Sequence, residues 1–380
     1  MSATQDPAAK PRRRFRFGPM TVLWAFVPFA VVLEALHLLH VWDAPPALIF
    51  TASAVGVIPC AALMGKATEE LAARSGPGIG GLLNVTFGNA PELIIAFFAL
   101  LAGLQEVVKA SLVGSVLGNT LLVLGASCLV GGITRERQTF NQTAASTQAA
   151  MLLLALAALL FPSLFELLHG GSLPAVGDRA ETAEPETLSL SIAVSLLLIG
   201  VYVVGLVFSL KTHRSLFNPF EEEEEDADWS VRRSVTMLAV AGAIVGVMSE
   251  ILVGSISAAA EQVGLSEFFI GVFIVAIVGN AAEHWVAVLV AAKDKMDLAV
   301  NIAIGSSAQI ALFVAPLLIL LSFFFGPAPM AAVFNGYELG ALMFAVLIAN
   351  FVIQDGESTW FEGVQLLSVY AVFGLVFFFA

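Results

Sequence analysis

The sequence predicts an all-α polytopic membrane protein of eleven transmembrane helices, arranged as one extra N-terminal helix plus two inverted five-helix repeats. Three observations carry this. Apolar residues make up 58% of the 380 and charged residues only 12%, with a mean hydropathy of +0.91. Apolar stretches of 18 or more residues recur along nearly the whole chain, so its hydrophobic surface faces lipid many times over instead of filling one core. The basic residues alternate between connections, and two short motifs recur at one fixed offset.

The apolar segment from Thr21 to Leu39 follows Lys10, Arg12, Arg13, Arg14 and Arg16. It is too long for a signal-peptide core and lacks a small-residue cleavage site after it, so it reads as a retained first helix. Spans are then expected at 20–40, 46–65, 79–103, 107–132, 144–168, 187–210, 234–257, 267–292, 297–325, 337–354 and 360–380. With the basic tail cytoplasmic, all of the 17 Lys and Arg except Lys109 and Arg179 fall on one side. This predicts an integral membrane protein, of a bacterial-type cell inner membrane, with its N-terminus in the cytoplasm and its C-terminus outside. The expected domains are a basic tail (1–19), the first helix (20–45), a first repeat (46–213), an acidic linker (214–233) and a second repeat (234–380).

Much of the net charge of −13 comes from the run Glu221 to Asp226 and the loop 178–186. No basic patch exists for nucleic acid. The run reads most simply as a solvated loop, although on the cytoplasmic side it could concentrate divalent cations. Cys60 and Cys128 sit inside apolar stretches and read as buried small hydrophobes. A homo-oligomer is compatible with the sequence, which does not test for one.

Gly88-Asn89-Ala90-Pro91-Glu92 in the third span recurs as Gly279-Asn280-Ala281-Ala282-Glu283 in the eighth, 191 residues on, and the same offset maps Gly114-Ser115 onto Gly305-Ser306. Five spans separate the matched helices, so the repeats cross the bilayer in opposite directions, as in secondary transporters with a midplane site. Pro91 has no N–H, which predicts a Phe87 carbonyl freed to act as a ligand, whereas Ala282 leaves the Val278 carbonyl bonded in an ordinary helix.

Glu92 and Glu283 have no Lys or Arg at their depth, and a bare carboxylate there costs a few kcal/mol at least. Either each takes a proton or both share a divalent cation, and a site forbidden to be empty exchanges one occupant for the other. Two carboxylates, the side chains of Asn89 and Asn280, the Phe87 carbonyl and backbone about Gly88 and Gly279 offer oxygen to a hard cation. Ca2+ fits this set, and the set also admits Mn2+. His284 beside Glu283 reads as an interior histidine or as a proton carrier. Glu250, another intramembrane acid, lines an access path, adds a ligand, or is merely solvated nearer an interface. Ser115 with Asn119, and Ser306 with Gln309, share helix faces one span beyond the motifs and form a next shell or pack. No phosphate-binding loop is present, so transport runs on an ion gradient, without a cofactor and without catalysis. A passive cation channel, the reading from a different class, has no need of two antiparallel acidic motifs.

The paired motifs, ending Glu92-Leu93 and Glu283-His284, resemble the alpha-repeat signature of the calcium/proton exchangers, a branch of the calcium/cation antiporter superfamily. The resemblance implies Ca2+/H+ exchange by alternating access, with Glu92 and Glu283 as the sites where Ca2+ and protons alternate. It implies that Asn89, Asn280 and His284 support them, that Glu250 matches a family acidic position, and that the second and seventh spans move against a fixed core. Sodium/calcium exchangers share the fold, but their motifs resemble Gly-Thr-Ser before the Glu. Here Asn stands instead, with His284 and Gln309 nearby, which favours protons over sodium.

Overall fold

The structure, a computed structural model, describes residues 19–177, 183–213 and 228–380. The basic tail before Pro19, Arg179 and the run Glu221 to Asp226 lie outside the described residues. Among the described residues ten single helices are long and apolar enough to cross a bilayer: Met20–Leu38, Pro46–Ser75, Gln105–Gly132, Gln142–Leu168, Pro185–Thr212, Val231–Val263, Glu267–Ala292, Met296–Leu321, Gly336–Ile353 and Trp360–Phe378. The pair Leu82–Gly88 and Ala90–Leu101, bent by 41°, makes an eleventh and stands third in order.

Some boundaries differ from expectation. The second span continues to Ser75 and the seventh covers Val231–Val263, because Lys, Glu, Ala and Arg are strong helix formers and carry a helix past the end of its apolar run. Phe323 to Phe325, expected at the end of the ninth span, instead form turns after Leu321. Helical bonding runs through from Pro46 to Gly88, 43 residues, which would be about 65 Å if straight. It is not straight. The Cα of Gly80 lies against the carbonyl of Ala72, eight residues back, where a straight helix would separate them by about 12 Å. The chain therefore turns back between the second and third spans. The first span is interrupted at Trp24–Ala25, one turn before Pro28, whose missing N–H leaves the Trp24 carbonyl without its helical donor.

The connections sort into two groups, each of which meets only at its own end of the bundle. At one end Arg135 pairs with Asp294 at 3.4 Å, Arg137 with Glu357 at 2.9 Å, and Gln138–Thr139 forms an antiparallel ladder with Glu357–Ser358. Arg74 and Glu70 hold the backbone of Trp229 there. At the other end the Ala47 N–H donates to Gln262, Gln105 donates to the Ala328 carbonyl, and the Gly177 N–H donates to Glu106. These are alternate connections of an eleven-span chain, so span count and alternation agree.

The centre of the bundle is the fourth span, buried from Val107 to Leu117. It crosses the eighth at Gly114, whose Cα faces the Val272 carbonyl, and at Ala110, whose methyl fills the space over Gly271. It meets the eleventh where Gly125 and Gly363 face each other. Small residues are what let helix backbones approach this closely in lipid. Both the fourth and ninth spans carry one π-helical turn, Gly118–Val123 and Ile310–Val314, at corresponding places of the two repeats.

Gly114→Ala should therefore destabilise the detergent-solubilised protein by about 1–3 kcal/mol through overpacking against Val272. Gly200→Ala, where a Cβ meets nothing, should leave the thermal midpoint unchanged.

Candidate ion-binding site

The third and eighth spans bring the two motifs face to face. A Cβ on Gly279 would stand 3.3 Å from Glu92 Cγ, and one on Gly88 would stand 3.4 Å from Glu283 Oε1. Each motif glycine thus lies against the other repeat's glutamate, and a methyl would crowd Glu92 at Gly279 but only touch Glu283 at Gly88. The two carboxylates interact electrostatically, and among the described residues neither is paired with Lys or Arg.

The two glutamates are held differently. The break at Asn89 starts a new helix at Ala90, so Glu92 lies in a first helical turn, where free N–H groups and the helix dipole favour negative charge. Glu283 lies inside the unbroken helix Ala276–Ala292. It accepts a hydrogen bond of 2.9 Å from Ser306 Oγ instead. The Phe87 carbonyl, expected to be free, receives the Asn89 N–H. The shift to a tighter turn supplies the donor that Pro91 cannot, and one lone pair is left.

The amides are anchored by their nitrogens. Asn89 Nδ2 donates to Gln309 Oε1 at 2.6 Å, and Asn280 Nδ2 donates to Ser115 Oγ at 3.0 Å and to the Ala276 carbonyl at 2.8 Å. This leaves Asn89 Oδ1, Asn280 Oδ1 and Glu92 Oε2 buried without a hydrogen-bond partner. Three orphaned acceptor oxygens on the two motif segments are costly unless a donor or cation meets them. His284 Nε2 donates to Asn119 Oδ1 at 3.1 Å.

A cavity of about 10 Å³ beside Glu92 is lined by Ser111, Ser115, Val275, Gly279 and Ile310 among others, room for about one water. Among the described residues no three His, Cys, Asp or Glu side chains cluster as a metal site. The donor set of two carboxylates with amide and hydroxyl oxygens fits a hard cation and not a soft one.

Of the residues singled out from sequence, Glu92, Glu283, Asn89, Asn280, Gly88, Gly279, Phe87, Ser115, Ser306, Gln309, Asn119 and His284 come together. Glu250 does not join them. Its side chain is exposed on the seventh span, while Ser249 and Ser255 bond carbonyls of their own helix. Sequence reasoning passed over Ser111, which shares a helix face with Ser115 and was legible by that spacing. It also passed over Glu69 of the second span, which acts electrostatically on Glu283 and had no motif to mark it.

A bundle of eleven apolar spans, with oppositely directed motif helices meeting at its centre, defines the class of polytopic membrane exchangers. The chain belongs to the sodium/calcium exchanger protein family, which matches residues 46–211 and 233–379. It is 45% identical over 359 residues to the Ca2+/H+ antiporter ChaA of Bacillus subtilis (strain 168), covering 93% of this chain and 97% of that one. It is 40% identical over 361 residues to the vacuolar calcium ion transporter of Schizosaccharomyces pombe, covering 94% and 84%. The solved structure of native YfkE superposes with a TM-score of 0.79 at 42% identity, covering 95% of this chain and all of that one. A sodium–calcium exchanger structure at 17% identity and TM-score 0.51 shares the fold.

Gly279→Val should push Glu92 out of place and weaken Ca2+ binding by about tenfold or more, about 1.4 kcal/mol, without loss of folded protein. Calorimetric titration of the purified protein with Ca2+ checks this.

Proposed function

We propose that this chain is a secondary transporter that exchanges Ca2+ for H+ across a membrane by alternating access, with Glu92 and Glu283 taking Ca2+ or protons in turn. The observation that carries the reading is the trio of buried, partnerless oxygens on Asn89, Asn280 and Glu92 beside a second carboxylate, with no Lys or Arg paired to either carboxylate among the described residues. Such a site asks for positive charge. A divalent cation meets all the oxygens at once. Protons on the two carboxylates neutralise the charge when the cation leaves, and the bare, empty state is the unfavourable one.

Protons are preferred to sodium as the counter-ion. The relatives at 40–45% identity are named as Ca2+/H+ antiporters or a calcium ion transporter, whereas the sodium–calcium exchanger shares only the fold. The basic end of the bundle is taken as cytoplasmic. Residues 46–213 and 234–380 are taken as the repeats, with His284 and Asn119 flanking the ion on the cytoplasmic side. The second and seventh spans are the mobile pair. Their contact includes flexible Met side chains over glycines, Met248 on Gly56 and Met64 near Gly242, which suits two helices that must shift.

Purified protein in liposomes should take up 45Ca2+ when a pH gradient is imposed and not when a Na+ gradient replaces it. Uptake driven by Na+ alone overturns the choice of counter-ion. Glu92→Gln and Glu283→Gln should each abolish uptake at near-normal expression, since an amide removes the charge without adding bulk. Wild-type flux in either removes the core of the reading.

Because protons and Ca2+ compete for the same oxygens, apparent Ca2+ affinity should fall as pH falls between 8 and 5. Titration of Ca2+ binding at each pH checks it, and a pH-independent affinity would mean that the carboxylates do not exchange their ion for protons.

A further inference from the structure

The two repeats supply near-equivalent ligands, but the walls that flank those ligands are not equivalent. Along the motif helices, the direction that leads from Glu283 to the basic end corresponds, by the inverted repeat, to the direction that leads from Glu92 to the opposite end. The offset of 191 residues pairs the positions on the two walls. Four residues before the motif glycine stands Asn84 on the basic side, against Val275 on the other. In the π-helical turns stands Asn119 against Ile310. Directly after the glutamate stands His284 against Leu93. Three polar groups face three apolar ones.

Ser111 against Ile302 and Gln309 against Gly118 run the other way, but the Ser111 hydroxyl is turned onto the Val108 carbonyl and Gln309 Oε1 is taken up by Asn89 Nδ2. Val275 and Ile310 line the cavity beside Glu92. Behind Ile310 lies a second cavity of about 20 Å³ whose walls are all apolar, Leu112, Leu152, Leu159 and Phe334 among them. An apolar cavity of this kind stays dry. On the basic side Asn119 is fully buried with Nδ2 unpartnered, a donor able to hold a water, and Asn84 is exposed.

We propose that the wall asymmetry makes the exchanger bind Ca2+ more tightly from its basic, cytoplasmic face than from the opposite face, with Asn119 and Ile310 as the pair that sets the difference. This rests on the reading of the site as a Ca2+/H+ exchange site. Ca2+ wants six to eight oxygens, and with one oxygen from each carboxylate the motifs offer only Glu92, Glu283, Asn89 Oδ1, Asn280 Oδ1 and the Phe87 carbonyl. When the site opens to the basic end, the wall amides hold waters that complete the shell. When it opens to the other end, the ion meets the side chains of Val275, Ile310 and Leu93, which bind no water themselves and leave it only the one water that the cavity beside Glu92 has room for, and release is favoured. The repeat thus preserves the ligands that must serve both faces and differs at the groups that serve one.

The test compares everted with right-side-out membrane vesicles containing the full chain, measuring the Ca2+ concentration for half-maximal exchange at the face presented. Wild type should half-saturate at lower Ca2+ from the basic face. Ile310→Asn should tighten the opposite face by about three- to tenfold, the worth of one polar contact, and leave the basic face unchanged. Asn119→Leu should weaken the basic face alone by a similar factor. Ile310→Thr, a milder change, should move the opposite face in the same direction as Ile310→Asn if that variant is recovered in too small an amount. Equal half-saturation at the two faces of the wild type, or substitutions that shift both faces together, overturns this inference while leaving Ca2+/H+ exchange standing. Absence of any Ca2+-for-H+ exchange in wild-type vesicles overturns both.

Discussion

Two carboxylates in a medium that cannot solvate them are the constraint on which the rest of this structure depends. An ionised side chain at depth costs several kcal/mol unless something compensates it, and among the described residues no Lys or Arg is paired with Glu92 or Glu283. The surrounding groups are consistent with a compensation that can leave. Ser306 and the first turn at Ala90 stabilise the charged forms in part. Gln309 and Ser115 tie the amide nitrogens of Asn89 and Asn280 so that their oxygens remain available. A permanent salt bridge would satisfy the same carboxylates and end the exchange. What is stabilising for an ordinary buried acid would be disabling here.

The helix packing follows from the same demand. For the two motifs to share one ion, helices from opposite ends of the chain must meet with nothing between them, and the glycine of each motif lies against the other's glutamate. The fourth span must then lie close enough to lend Ser115 and Asn119, which the contact of Gly114 with the Val272 backbone allows. Around this centre the loops of the basic end are cross-tied by Arg135, Arg137 and Gln138, while the second and seventh spans pack methionine on glycine along their length and have their polar ties near their ends, Ala47 to Gln262 and Glu70 and Arg74 to Trp229.

Much of this was legible in the sequence because hydropathy, charge alternation and a gapless repeat are one-dimensional signals. They located eleven spans and the Glu92–Glu283 pair without any contact information. What escaped them depended on three-dimensional closure. The Phe87 carbonyl was read as free from the chemistry of Pro91 alone, but the chain tightens so that the Asn89 N–H reaches it. Glu69 carries no motif, and its relation to Glu283 exists only because the second span passes the eighth. The end of the second span was placed at residue 65 because hydropathy falls there, whereas helical propensity carries it on to Ser75. Glu250 shows the converse: an acid in an apolar stretch reads equally as a ligand, a path residue or a solvated group until its helix face is known, and its exposed face sets it apart from the ligands alone.

An inverted repeat gives a transporter its two access states from one packing scheme, since each half can adopt the other's conformation. Perfect symmetry would also make the two states equal in energy and the two faces equal in affinity, which suits no pump that must collect an ion where it is scarce and release it where it is abundant. The departures from symmetry in this chain lie around the glutamates and not at them. One glutamate sits at a helix start and the other mid-helix. One asparagine leans on Gln309 and the other on Ser115, and His284 bonds Asn119 where the equivalent places hold Leu93 and Ile310. The carboxylates are duplicated, and on the proposed reading the bias is carried by neighbours that meet the ion from one side. On the proposed reading, the chain keeps coupling and direction on separate residues, so that a change in one need not destroy the other.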